Sequence, residues 1–153
     1  MKKLLLIAAV CWLGLQARAQ EEGWLTNLPQ ALAKAKAENK VVLMDFTGSD
    51  WCPPCKALHK NILTSSEFTS YAGTNLVLML VDFPQSKPQS DDLKKANGAL
   101  QEKYGVEGYP TVIVLDPGGK VLYKNVGYSA KETDTKTFIA AIEKARQKAP
   151  KGT

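Results

Sequence analysis

Cys52 and Cys55 are the residues of this chain best suited to covalent chemistry. They stand three positions apart in Trp51-Cys52-Pro53-Pro54-Cys55-Lys56. Two thiols at that spacing can close a small disulfide and reopen it. Such chemistry needs elements that hold the sulfurs. An apolar, β-branched run, Val41-Val42-Leu43-Met44-Asp45-Phe46, comes just before, and the helix-compatible Lys56-Ala57-Leu58-His59 comes just after. A strand, a short turn and Cys-x-x-Cys at a helix start make the layout of a dithiol redox site. The alternative for the pair is a structural disulfide or two inert thiols.

The 153-residue chain opens with a segment that looks like a leader. Met1-Lys2-Lys3 is positive, Leu4 to Leu15 is apolar apart from Cys11 and Gly14, and Ala17-Arg18-Ala19 is a small-x-small cleavage site. That pattern predicts a secretory signal peptide over residues 1–19. The apolar run is 12 residues, short of the roughly 20 a membrane-spanning helix needs. Lipid anchoring at Cys11 is disfavoured, because Val10 rather than a small residue precedes it. A single domain over residues 20–153 is expected, large enough for a core of its own. Losing Lys2, Lys3 and Arg18 and no acid lowers the formal charge from +5 to +2. That balance gives little reason to expect nucleic acid or an anionic surface as partner. It also removes Cys11, so Cys52 and Cys55 become the only thiols of a protein expected in the periplasm or outside the cell.

The elements follow from periodicity and punctuation. Ala31 to Lys40 reads as a helix with Pro29 near its first turn, and Val41 to Phe46 as a buried strand. Cys52 to Leu63 reads as a helix, and Ser66 to Ala72 as a short one stopped by Gly73. Asn75 to Phe83 is a continuous apolar run, hence a central strand. Ser86 to Ser90 reads as loop. Asp91 to Tyr104 has helical spacing, weakened by Asn97-Gly98. Thr111 to Leu115, the turn Asp116-Pro117-Gly118-Gly119 and Val121 to Tyr123 read as a hairpin. Lys131 to Lys148 closes the chain as an amphipathic helix. The fold class is α/β, a mixed sheet of about four to five strands flanked by helices, with a C-terminal β-hairpin plus helix.

These residues resemble the thioredoxin superfamily. The resemblance rests on Val42-Leu43-Met44-Asp45-Phe46, on Trp51-Cys52-x-x-Cys55-Lys56, on Val106-Glu107-Gly108-Tyr109-Pro110-Thr111, and on Gly127 after the hairpin. Phe46 to Cys52 and Val81-Asp82-Phe83-Pro84 look like an exported bacterial branch, of the disulfide-reductase or isomerase kind. The chain departs from typical thioredoxins in having Pro53-Pro54 between the cysteines, one extra residue between Asp45 and Cys52, and a longer loop from Phe83 to Ser90.

The resemblance implies a thioredoxin fold and a thiol-disulfide oxidoreductase of the bacterial cell envelope without a cofactor. Cys52, at the helix N-terminus, is the expected nucleophile, because that end of a helix can lower a cysteine pKa from ~8.5 to about 3.5–7.5. Cys55 is expected to resolve the mixed disulfide. Pro53 and Pro54 remove donors to the Cys52 thiolate, which favours a reductant or isomerase, or else they only stiffen the turn. Pro110 resembles the family's cis-proline, beside which the Tyr109 backbone would pair with a substrate strand; a trans proline opening a strand is the alternative. Asp45 resembles the buried acid below the resolving cysteine, but its one-residue offset flips the strand's facing unless a bulge absorbs it. Trp51 is expected to cover the thiols and contact substrate, with core packing as the alternative. Asp50 and Lys56 read as solvated charges flanking the site. Partners would be exported proteins with disulfides or dithiols and a membrane thiol-disulfide electron donor, and the protein would be a monomer. Rival readings are a dithiol oxidase, a Cu(I) carrier using Cys52, Cys55 and His59 without a closed zinc site, and a docking module that needs neither thiol.

Overall fold

The computed structural model describes residues 23–150; the expected leader, its cleavage site and Cys11 lie outside them. Eleven elements follow one another. They are β1 (Trp24–Leu25), α1 (Leu28–Glu38), β2 (Val41–Thr47), α2 (Pro53–Leu58), a π-helical turn (His59–Leu63), α3 (Ser66–Asn75), β3 (Leu76–Asp82), α4 (Asp91–Lys103), β4 (Thr111–Leu115), β5 (Val121–Val126) and α5 (Thr135–Arg146). The five strands form one sheet in the order β1-β3-β2-β4-β5. β1, β3 and β2 run parallel, whereas β4 is antiparallel to both β2 and β5. This is the α/β thioredoxin fold.

Period-two alternation along β2 divides the core. Val41 and Leu43 face Leu58 and Ile62, with Phe68 of α3 and Phe138 and Ile142 of α5 in the same cluster. Val42, Met44 and Phe46 face the other way, toward Ala31 and Ala35 of α1 and Leu100 and Tyr104 of α4. The apolar sheet is covered on both sides, which is why β2 and β4 are buried throughout.

Caps explain where the helices begin. The Asn27 side chain accepts from Gln30 N–H at 2.9 Å, so α1 starts at Leu28, before the expected Ala31. Asn39, left-handed at φ 53°, ends it. Asp134 accepts from Thr137 N–H at 2.8 Å, so α5 begins at Thr135 and not at Lys131; Glu132 N–H and Thr133 N–H turn back on Ser129 O instead. Gly73 does not stop α3. The helix runs to Asn75, whose side chain donates to Tyr71 O at 3.0 Å, and burial of Phe68 and Ala72 outweighs the roughly 1 kcal/mol cost of a helical glycine. Asn97-Gly98 does not break α4 either. Asn97 is 1 % exposed and donates to Asp82 O at 2.9 Å, which anchors that turn to the end of β3. β5 runs three residues past Tyr123, because Thr111 still pairs with Val126. β1, only two residues long, carries no sequence signal and is set by pairing with β3.

Candidate active site

The site is built on the end of β2. The strand pairs without interruption with β3 and β4, so no bulge interrupts it. Asp45 therefore shares a face with Leu43, the face on which Leu58 of α2 packs, and is 4 % exposed. The expected flip does not occur. The extra residue is taken up in the turn after Thr47, where Trp51 N–H and Cys52 N–H both donate to Gly48 O at 3.2 and 2.9 Å.

Cys52 is the N-cap of α2, with extended backbone (φ −88°, ψ 107°). Its Sγ accepts from Cys55 N–H at 3.3 Å, and its carbonyl from Lys56 N–H at 3.1 Å. The two cysteines are joined as a disulfide, with Cα atoms 5.3 Å apart and both residues buried. Pro53 and Pro54 fill the first two helical positions, where proline is tolerated because the N–H groups there have no helical partner. Neither ring nitrogen can donate, so Cys55 supplies the first N–H of α2 that reaches the capping sulfur.

Trp51 is 38 % exposed and is no core residue. Its Nε1–H donates to Phe83 O at 2.8 Å, and its ring meets Tyr109 edge-on at 5.8 Å. Tyr109 also touches Phe83, with ring centroids 5.3 Å apart. Burial pushes the Tyr109 hydroxyl up from its ordinary pKa. This aromatic wall joins the Cys52 segment to the Pro110 segment, where the Tyr109–Pro110 peptide bond is cis. Pro110 O accepts from Gly127 N–H at 2.7 Å, which ties that segment to the end of β5.

Asp50 lies at the surface, but it is not a free charge. Its carboxylate accepts from the backbone N–H groups of Gln85, Ser86 and Lys87 at 3.0, 2.6 and 3.1 Å. Those bonds, the one from Gln85 first, hold its pKa below the usual carboxylate value. Lys56 likewise has a partner, because its Nζ donates to Asp50 O at 2.7 Å. Next to Asp50, Ser49 donates from N and Oγ to the Asp82 carboxylate at 2.9 and 2.6 Å. The sequence reading missed Phe83, Asp82 and residues 85–87 as shapers of this site. A usable signal was present, since three consecutive polar or amphipathic residues, 49–51, precede the motif just where a long loop follows β3.

His59 opens the π-helical turn that continues α2. Among the described residues no three His, Cys, Asp or Glu side chains gather as a metal-binding group. In the disulfide form, Cys52, Cys55 and His59 do not gather as a copper set. Among the described residues no helix is long and apolar enough to cross a membrane.

Known proteins agree with this architecture. A family model described as a thioredoxin-like domain matches residues 28–145. The chain is 40 % identical over 93 residues to the disulfide bond reductase DsbH of Chlamydia pneumoniae, covering 61 % of this chain and 56 % of that protein. It is 30 % identical over 110 residues to the thioredoxin-related protein DsbJ of the same organism, covering 72 % of this chain and 31 % of that one. The match therefore spans about half the length of the first relative and a third of the second. A solved DsbH oxidoreductase superposes with a TM-score of 0.73 at 28 % identity, covering 87 % of this chain and 93 % of that chain. By its fold, its Cys-x-x-Cys disulfide and the match over residues 28–145, the chain belongs to the thioredoxin-like domain family.

Proposed function

We propose that this protein is a thiol-disulfide oxidoreductase of the bacterial cell envelope that reduces or isomerises disulfides in exported proteins. The observation that carries the proposal is the Cys52–Cys55 disulfide at the start of α2, beside the Trp51–Tyr109 contact. In the dithiol form the Cys52 thiolate attacks one sulfur of a substrate disulfide. The substrate S–S bond breaks, its other sulfur leaves as thiolate, and Cys52 is held in a mixed disulfide. Cys55 then loses its proton and attacks Cys52 Sγ. The second substrate sulfur leaves as thiolate and takes up a proton, and the Cys52–Cys55 disulfide remains. Two electrons have passed to the substrate, and both came from the sulfur pair without a cofactor.

Asp45 is buried on the strand face toward α2, which supports a role for it as the acid that exchanges the Cys55 proton. Tyr109 and Pro110 border the substrate strand, and Trp51 forms the wall beside it. The cycle closes when a membrane electron donor reduces Cys52–Cys55 again. Residues 1–19 act as the signal peptide that delivers a single domain, residues 20–153, to the envelope as a monomer. The name of the DsbH relative supports the reductive direction. So do Pro53 and Pro54, since a thiolate with fewer donors is less stabilised and its disulfide is a weaker oxidant.

Alkylation of thiols in intact cells tests the direction. A pool of Cys52 and Cys55 mostly in the dithiol form is expected. A pool mostly in the disulfide form would make the protein a dithiol oxidase. Loss of insulin reduction on Cys52→Ser is expected in vitro, and retained activity would leave a docking module that needs no thiol.

A further inference from the structure

Residues 49, 50 and 51 each reach across to the end of β3 or to the segment after it. Ser49 bonds Asp82, Asp50 collects three backbone N–H groups of residues 85–87, and Trp51 Nε1–H bonds Phe83 O. Lys56 of α2 closes on Asp50 O. Three N–H groups converging on one point make a small anion nest. Here the nest is filled by the chain's own carboxylate, two positions before the capping Cys52. No step of sulfur exchange uses this carboxylate. Residues 85–87 are exposed, and among the described residues Asp50 is the partner the structure gives their N–H groups. Phe83, at the root of that loop, carries both the carbonyl that holds the Trp51 indole and the ring that backs Tyr109.

We propose that Asp50 is a positioning residue for protein substrates: by pinning residues 85–87 it holds the Trp51–Tyr109–Phe83 wall beside Cys52, on which the chain flanking a substrate half-cystine lies. The inference rests on the thiol-disulfide exchange reading and adds the element that selects substrate. The substrate it fits is an extended protein segment with an apolar side chain next to the attacked sulfur. A small disulfide without such a side chain gains nothing from the wall and reacts at Cys52 alone.

The test compares the full-length wild type with Asp50→Ala and Asp50→Asn. Initial rates are read on insulin and on oxidised glutathione at neutral pH, with dithiothreitol regenerating the dithiol. Asp50→Ala is expected to raise KM for insulin about fivefold or more while kcat stays within about twofold, the pattern of lost binding. Turnover of oxidised glutathione and the reduction potential stay at wild-type values. Asp50→Asn, which keeps one acceptor oxygen, falls between. Amide exchange at residues 85–87 is at least about tenfold faster in Asp50→Ala. Equal losses on both substrates, an unchanged KM for insulin, or Asp50→Asn as poor as Asp50→Ala would overturn the proposal. If Asp50→Ala does not fold, Asp50→Asn and its amide exchange decide the matter alone. A wild type that reduces neither substrate would overturn the exchange reading itself, before any variant is compared.

Discussion

Gly48→Ala probes how tightly the turn before Cys52 grips Trp51. A Cβ at Gly48 would fall on the indole, with Nε1 and Cζ2 each only 2.6 Å away. The ring cannot stay where it is, so the variant must pay about 1–3 kcal/mol for overpacking. Moving the ring also gives up the Nε1–H bond to Phe83 O, a further 0.5–1.5 kcal/mol or so. Against this, alanine removes freedom from the unfolded chain and returns about 0.4–1 kcal/mol, because Gly48 is not in the left-handed region. The net expectation is a loss of about 0.5–4 kcal/mol. The assay is a double-mutant cycle with Trp51→Ala, by urea unfolding of the oxidised protein followed by circular dichroism. With the indole gone, Gly48→Ala should be neutral or stabilise by up to about 1 kcal/mol. The same cost in both backgrounds, within about 0.5 kcal/mol, would refute the close approach of turn and ring.

Two other perturbations have signs set by the structure. Pro54→Ala restores an N–H at the second position of α2, within reach of the capping Cys52 thiolate. A hydrogen bond to a charged group stabilises by about 1.5 kcal/mol or more, so equilibrium with glutathione should show a potential about 30 mV more oxidising; an unchanged or more reducing value would contradict this. Arg146, and then Tyr71, hold the Glu143 carboxyl down from its ordinary value to about 2. Its folded pKa is depressed, so its contribution to stability is complete above about 4.5 and is lost as pH falls toward 2. The carboxylate is 30 % exposed, so water limits the effect to about 1 kcal/mol. Tyr71→Phe removes the 2.7 Å bond between α3 and α5 and should flatten this pH dependence in urea unfolding at pH 5 and pH 2.5.

The parts legible in the sequence were those with a local physical cause. The apolar runs of β2, β3 and β4 read directly as buried strands, and the Cys52–Cys55 spacing with Pro53 at the helix start pointed to the candidate site. What escaped depended on distant partners. Gly73 looks like a stop because propensity is a local quantity, whereas burial of Phe68 and Ala72 carries α3 past it. Asp50 looks like a surface charge because nothing near it in sequence needs an acid; its donors are some 35 residues away. The offset of Asp45 pointed to a flipped or bulged strand, yet a turn absorbs an added residue more cheaply than a paired strand does.

Trapping of the mixed disulfide tests the assignment of Cys52 as nucleophile most directly. The reduced Cys55→Ala variant, mixed with a disulfide-bonded protein, should accumulate a covalent adduct that dithiothreitol releases and peptide mapping locates at Cys52. The reduced Cys52→Ala variant should accumulate little or none. Adduct formed through Cys55 in Cys52→Ala, and none in Cys55→Ala, would reverse the roles of the two sulfurs and contradict the account.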